Sequence, residues 1–580
     1  MKVTVDDLSK RIRQAKGAEP ADLVIRGAKI VNVLTHEIMT GDVAVCDGVI
    51  AGVGGTYEGK ETVTVDGILI PGLIDSHVHV ESSMLIPERF GRLLAARGTT
   101  TAIADPHEIM NVAGIPALEC MIRSGKKSPI DLLFMMASCV PATPWEHSGA
   151  VIESVVMEKA VKKHEVLGLG EMMNYTGVIG CDRNVLEKIV LAHEAGSIVD
   201  GHSPGITGKD LSAYITAGIS TDHECSDVEA MEERLRNGMY VQLRYGSACL
   251  NLPDLAGGVT PGNASRCLLC SDDIQPLTLI KRGSVDAGIR VLISKGVDPI
   301  DAITMGTCNA AECYGLKDRG AIVPGRIADM VLVDDLSRFN ILQVWKRGVT
   351  VAKEGECTAP LSRMTDFKSI SKSMHVKDFS EEKLKMHLKS DLVRTIRIIP
   401  GGVVTDEKFA GVRRDADGDF IFDENADVAR LAVVERHQST GNVSLGLLSE
   451  YGIKRGAAAA SVAHDSHNII VAGTNTRDMA AAVEEVIRME GGMTAVLDGK
   501  VLASLELPVG GLMSDRDENY VMQQLDRVQD AAHSVLGVRK DIEPLMTLCF
   551  MALPVIPTLR LTDMGLFDVR TMQFTDINVS

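Results

Sequence analysis

Two histidines one residue apart, His77 and His79, close an apolar run that begins near Ile68. On a strand, residues i and i+2 project to the same side. Both imidazoles can therefore reach one ion, and imidazole suits several transition metals. Carboxylates flank them at Asp75 and Glu81. A lone His-x-His is as readily an ordinary strand end as a ligand pair. This chain, however, supplies more ligand-type residues at regular intervals: His107, Glu171, His202, His223 and Asp272. His77, His79, Glu171, His202, His223 and Asp272 make six ligands, enough for two adjacent metals. Glu171 can bridge them with its two oxygens. His77, His79 and Asp272 complete one site, and His202 and His223 the other. Two metals sharing a water lower its pKa towards neutrality and supply hydroxide. Asp272 is then a natural proton acceptor. Its neighbour Asp273 competes for the ligand role, and Asp272 is preferred because it directly follows the strand. Metal-assisted hydrolysis is the reaction class.

These residues need a scaffold that brings them together. From about residue 69 the chain alternates strand-like and helix-like segments. Strand candidates cover 68–79, 99–105, 132–138, 166–171, 197–202, 219–223, 239–244 and 267–273. Helix candidates lie near 87–97, 116–123, 154–163, 184–195, 209–217 and 228–237. Such alternation implies a parallel sheet, and eight units fit a (β/α)8 barrel of the TIM type, whose catalytic groups sit at the C-terminal ends of the strands. The metal-type residues fall at those ends. An open doubly wound sheet is the alternative, but no Gly-x-Gly-x-x-Gly follows the first strand. Residues 22–70 are short β-type runs punctuated by Gly and Asp, after a polar, helix-compatible start. Helices follow the barrel series at 277–295 and 299–314. The segment from Gly325 returns to β character and can rejoin the N-terminal β unit. The expected division is a small discontinuous β-sandwich from 1–70 and 326–358, a barrel over 71–325, a linker over 359–395 and a C-terminal α/β domain over 396–580.

Composition narrows the partners. A chain of 580 residues exceeds a single core. Aromatics are only 4%, too few for base-stacking platforms, and the net charge of −18 disfavours binding to a phosphate backbone. Nucleic acid is thus an unlikely class of partner, and a small neutral or cationic ligand is favoured. The twelve cysteines have no framework spacing. With no apolar leader and no 18-residue uncharged apolar run, a cytoplasmic protein without membrane contact is expected. A homo-oligomer, a dimer first of all, is the default expectation.

The His-x-His motif, the ligand order and the return at Gly325-Arg-Ile-Ala-Asp resemble the amidohydrolase superfamily. Longer motifs resemble the bacterial and archaeal adenine deaminase family. These are Gly72-Leu-Ile-Asp-Ser-His-Val-His-Val-Glu-Ser-Ser, Ala104-Asp-Pro-His-Glu-Ile, Gly170-Glu-Met-Met-Asn, Asp200-Gly-His-Ser-Pro-Gly, Thr221-Asp-His-Glu and Cys270-Ser-Asp-Asp. Near the C-terminus, Glu435-Arg-His-Gln-Ser-Thr-Gly-Asn and Ala463-His-Asp-Ser-His-Asn match as well. The resemblance spans almost the whole chain from residue 20. It implies hydrolysis of adenine to hypoxanthine and ammonia in purine salvage, at a binuclear divalent centre of Mn2+ or Fe2+. Many amidohydrolases bridge their metals with a carboxylated lysine. Here the fourth strand offers Glu171, which suits this family and weakens a dihydroorotase or hydantoinase reading.

On this reading Asp272, Glu171 and His107 are the catalytic candidates. Glu81, Glu108, Asn174 and Arg244 are candidates for substrate contact, set against rim hydrogen bonds, capping of the following loop at Asn174, or support of the ligands. His437, His464, Asp465 and His467 could shield the site, bind another ion or stabilise an interface, and structural roles are favoured. The base-flipping zinc deaminases use His-x-Glu with Pro-Cys-x-x-Cys. His79-Val-Glu81 and Cys267-Leu-Leu-Cys270 are superficially similar, but Arg266 stands where proline is needed. The two cysteines read instead as buried strand packing. Competing expectations are another amidohydrolase acting on a cyclic amide or amidine, and a catalytically silent metal-binding barrel.

Overall fold

The strand Leu73–His79 is buried along its whole length, and the parallel ladders start from it. It pairs with Thr99–Ala104 on one side and Asp272–Asp273 on the other. Thr99–Ala104 continues to Asp131–Phe134. Met136 forms a parallel bridge to Leu169 in Gly168–Met172, which pairs with Ile198–Gly201. The Ser220 amide then donates to the Val199 carbonyl (3.0 Å), just before Thr221–Asp222. That short strand pairs with Tyr240–Arg244, and Tyr240–Arg244 with Cys267–Cys270. Several of these strands are buried at every position, because helices cover a parallel sheet and both faces of a strand read as apolar. Helices Pro87–Ala96, His107–Gly125, Ser154–Lys163, Arg183–Glu194, Gly208–Thr216 and Val228–Arg236 supply the cover. Asp182 and Asp227 cap two of them by accepting the amides of Val185 and Ala230. The structure, a computed structural model, describes residues 3–247, 250–400 and 402–579.

Several element bounds differ from the sequence reading. The helix expected near 116–123 begins at His107 and bends at Gly114, whose φ of 59° interrupts it. The single helix expected over 277–295 is two, Pro276–Lys281 and Val285–Ser294, parted by Gly283 at φ 105°. The helix over 299–314 likewise divides into Pro299–Met305 and Cys308–Cys313. The strand over 267–273 breaks at Ser271, and Asp272 takes a left-handed φ of 55°. Hydropathy alone does not register the bend at Gly114, because apolar residues lie on both sides of it. Cys267 and Cys270 lie on a fully buried strand, as packing requires.

The N-terminal runs form two sheets. One has four strands in the order Val49–Val53, Val43–Cys46, Ala21–Arg26 and Gly59–Thr64. The other has seven and includes Lys29–Asn32, Ile68–Pro71 and the returning strands Met330–Val333, Ile341–Lys346 and Val349–Lys353. Met330–Val333 pairs antiparallel with Ile68–Pro71. Leu23, Ile25, Val45, Leu69, Met330 and Trp345 from both sheets share one apolar cluster.

Residues 359–395 are strapped down rather than loose. Glu88 accepts the Thr365 amide (2.9 Å) and hydroxyl (2.7 Å), and Phe367 and Ile370 are buried. Beyond them an eight-stranded sheet runs in the order Thr405–Gly411, Leu392–Ile398, Val443–Ser449, Val428–Val434, Ile469–Gly473, Ala457–Ala460, Gly492–Leu497 and Lys500–Glu506. It is antiparallel except where Leu392–Ile398 meets Val443–Ser449. The helix Thr476–Arg488 packs its buried side, including Met479, Val483 and Val486, on this sheet.

Candidate metal centre

The first ligand group gathers at the end of Leu73–His79. The Nε2 atoms of His77 and His79 stand 3.1 Å apart. Asp272 Oδ1 is 3.2 Å from His79 Nε2 and 3.9 Å from His77 Nε2, and Glu171 Oε1 is 3.5 Å from His79 Nε2. His79 Nδ1 donates to the Asp105 carbonyl (3.1 Å). A carbonyl only accepts, so the neutral ring has its lone pair on Nε2, facing the group. The second group forms around the other oxygen of Glu171. Its Oε2 lies 3.0 Å from both His202 Nδ1 and His223 Nε2, which are 3.2 Å from each other. A single proton cannot join three such atoms by hydrogen bonds, whereas one cation satisfies all of them. The donor set, imidazole nitrogens with carboxylate oxygens, fits a divalent transition metal.

Charge follows the same geometry. Burial, with the neighbouring His223 and His79 rings, pushes His77 down to about 3, so it is a neutral lone-pair donor. At His223 burial is outweighed by Glu171, which holds the ring up at about 9. Glu171 and Asp272 stand well below the usual carboxylate range. Burial opposes this, but His223 and His202 overcome it at Glu171, and His79 and Arg244 at Asp272. A point that draws positive charge this strongly is where a metal competes with protons.

Buried partners fix each ligand in place. Asp105 accepts the Glu171 amide at Oδ2 (2.8 Å) and the His107 amide at Oδ1 (3.2 Å). The Tyr214 hydroxyl accepts the His202 amide (2.9 Å) and donates to the Met172 carbonyl (2.8 Å). Arg234 Nε donates to Asp222, whose Oδ1 accepts the amides of Ser203 (3.2 Å) and Glu224 (3.0 Å). Asp75 accepts the Ser271 amide (3.0 Å), tying the first strand to the turn before Asp272. Asp273 lines the same cavity but accepts the Ser82 hydroxyl.

The structure thus brings all six sequence-predicted ligands together. His107 joins them, with Nδ1 3.3 Å from Glu171 Oε1. Arg244 Nη1 pairs with Asp272 Oδ2 (3.0 Å) and with Glu224. Glu108 lines the cavity above the cluster together with His107, Met173, Glu224 and Arg244. Glu81 sits behind Glu108 and accepts the Ile109 amide (3.1 Å). Asn174 is not brought to the cluster. Its side chain caps the helix Tyr175–Ile179 and lines a separate hollow with Trp145 and Asp182. Sequence reasoning passed over Glu224, whose Oε1 is 3.6 Å from His202 Nδ1 and 3.5 Å from His223 Nε2. Its position directly after His223 was the available signal. Also passed over was Asp105, which begins the turn leading to His107.

Comparison with known proteins agrees along the whole chain. The amidohydrolase family matches residues 68–351, and the adenine deaminase C-terminal domain matches residues 402–573. An adenine deaminase 2 of Desulfotalea psychrophila is 50% identical over 571 residues, 98% of this chain and 99% of its own length. An adenine deaminase of Nitratidesulfovibrio vulgaris (strain DP4) is 47% identical over 575 residues, 99% of each chain. One from Ligilactobacillus salivarius is 47% identical over 568 residues, 98% of each.

Proposed function

The chain belongs to the adenine deaminase family of amidohydrolases, and from that premise we propose that its buried histidine–carboxylate cluster converts adenine and water to hypoxanthine and ammonia. The observation that carries this reading is the division of Glu171. One oxygen serves His79 and the other serves His202 and His223, as a bridge between two ions requires. Divalent metals held there, Mn2+ or Fe2+, supply Lewis acidity and a water acidic enough to lose a proton near neutral pH. His77, His79 and Asp272 would hold one ion, and His202 and His223 the other.

The remaining work falls to side chains. Asp272 is kept ionised by His79 and Arg244 and takes the proton of the attacking water. A C6–O bond forms while the ring gains a proton at N1. Asp272 then returns its proton to the exocyclic nitrogen as the C6–N bond breaks and ammonia leaves, and the C6 hydroxyl gives its proton back to the group that protonated N1, leaving the C6 carbonyl. His107 and Glu108 face the cavity, so proton delivery to the ring belongs to that pair, with Glu81 supporting Glu108 from behind. Arg244 orients Asp272 by its 3.0 Å bond.

The scaffold belongs to the same proposal. The three parallel sheets from 73–79 round to 272–273, linked by the Met136–Leu169 bridge and the Ser220–Val199 hydrogen bond, support a (β/α)8 barrel over about 71–325 with ligands at its C-terminal rim. The mixed N-terminal and returning strands support a discontinuous domain of 1–70 and 326–358, and the eight-stranded sheet supports a domain from about 396. No helix among the described residues is long and apolar enough to cross a membrane.

The test is an ultraviolet assay of manganese-loaded protein with adenine, alongside Asp272→Asn. Conversion to hypoxanthine in the wild type, with a loss of about 10²–10⁴-fold in the variant, is the expected outcome. Metal-loaded protein that leaves adenine untouched overturns the assignment.

A further inference from the structure

The cavity above the cluster is closed by the C-terminal part of the chain. Val403, Phe550, Leu553 and Ile556 give it apolar walls, and His464 and Asp465 give it polar ones. The histidines here are already committed. His464 Nδ1 is 3.0 Å from Glu108 Oε1, and its ring stacks on Phe550 at 4.4 Å and 19°. His467 Nδ1 accepts the Ala463 amide (3.1 Å). The proton of the neutral ring is therefore on Nε2, 4.0 Å from Glu108 Oε2, and neither atom has a hydrogen-bond partner. Ligation by Nε2 needs the lone pair that this proton occupies. Glu108, His464 and His467 are near enough to hold a cation, but Glu108 Oε1 is taken by His464 and the His467 lone pair by the Ala463 amide.

Asp465 stands beside this group. It is 2% exposed and lines the cavity. Its Oδ1 lies 3.7 Å from His107 Nε2 and 3.9 Å from His464 Nδ1, while its Oδ2 has no hydrogen-bond partner. Glu146 is buried close enough to feel its charge. Buried carboxylate oxygens are ordinarily paired, because an unmet one carries its full desolvation cost. One that faces a substrate cavity is accounted for when the substrate brings the donor.

We propose that Asp465 Oδ2 accepts the N–H of the five-membered ring of adenine, and that this contact selects the free base over purines substituted at N9. The inference rests on the adenine reading above. Its geometric basis is the placement of Asp465 across His107 from Glu171. His107 Nδ1 contacts Glu171 Oε1 at 3.3 Å, and Nε2 faces Asp465 at 3.7 Å. One imidazole ring and two contacts is the reach of a purine whose C6 is at the ligand cluster and whose imidazole half points outward. Val403, Leu553 and Ile556 offer that flat body apolar surface. An N9 substituent removes the donor and leaves Asp465 buried and unmet, so the discrimination arises from an unpaired group.

The experiment compares wild type, Asp465→Ala and Asp465→Asn, each loaded with Mn2+ and assayed for metal content, on adenine and on 9-methyladenine. In D465A, kcat/KM for adenine is expected to fall about 10- to 100-fold, chiefly through KM. Use of 9-methyladenine should hold or improve, so that the preference for adenine collapses. D465N keeps a carbonyl acceptor and should recover part of the loss. If 9-methyladenine is not turned over, its inhibition constant against adenine gives the same ratio. If D465A loses its metals, the ratio is read in D465N. Proportional losses on both compounds, leaving the preference unchanged, overturn the proposal and make Asp465 structural. Wild-type protein inert towards adenine would instead sink the functional reading beneath it.

Discussion

Removing the charge of Arg234 should loosen the second ligand group without touching a ligand. Arg234 is 1% exposed; its Nε donates to Asp222 and its Nη2 to the Ser203 carbonyl (2.7 Å). Asp222 in turn holds the amides of Ser203 and Glu224. One buried ion pair therefore fixes the residue after His202 and both neighbours of His223. Arg234→Met keeps much of the volume and strands an ionised carboxylate. Breaking a buried pair by removing one partner costs about 3–5 kcal/mol, two to four decades in the folding equilibrium. The double variant with Asp222→Asn removes the stranded charge and should regain about 2 kcal/mol of that. Denaturant titration of metal-stripped protein measures both, since bound metal would mask the difference. Burial opposes ionisation of Asp222, but Arg234 and His223 hold it at about 2, against 3.8 ordinarily. A depressed carboxylate stabilises above the unfolded value and loses that contribution as pH falls through the folded one. The wild type should therefore lose stability from about pH 4 down to about 2, and D222N should lack that component. An R234M protein within about 1 kcal/mol of wild type, or a double variant no better than the single, would refute the reasoning.

Gly170→Ala would place a Cβ 2.2 Å from Asp105 Oδ2, forcing that carboxylate off the Glu171 amide. Metal affinity should drop by about 10–100-fold with the fold retained, and metal titration reading wild-type affinity would count against the role given to Asp105. Chelation should abolish turnover, and Mn2+ or Fe2+ should restore it with a plateau at two equivalents per chain; a plateau at one would refute the binuclear centre. Burial, reinforced by the charge of Asp465, lifts Glu146 to about 8 from 4.5. A raised carboxyl contributes fully below its unfolded value and loses that contribution as pH rises through its folded one. Thermal melts should therefore decline between about pH 5 and 8, and Glu146→Gln should flatten the decline.

The convergence of these six histidines and carboxylates was legible because its signals are local. His77 and His79 share a strand face by period alone, and each later ligand ends an apolar run. Asp272 was separable from Asp273 by its place after the strand, and the structure sets it 3.2 Å from His79. What sequence could not give was long-range pairing. Nothing near Asp105 signals that it will hold the backbone of Glu171, 66 positions on. Nothing near Asp465 signals that it will face His107, because that contact exists only once two separately folded sheets meet. Helix breaks at Gly114 and Gly283 were missed for the opposite reason: a positive φ is a backbone property that leaves hydropathy unchanged.

The seven-stranded sheet also imposes a timetable. Ile68–Pro71, which runs through Gly72 into the strand carrying His77 and His79, takes its antiparallel partner from Met330–Val333. During synthesis at roughly 5–20 residues per second, that partner leaves the ribosome on the order of tens of seconds after the first two ligands. The partner that anchors this strand is thus made only after all six of the gathered histidines and carboxylates. Residues 464 and 465, which close the cavity, emerge later still. A nascent chain therefore passes through an interval in which all six gathered histidines and carboxylates have been made while the segment that closes their cavity has not.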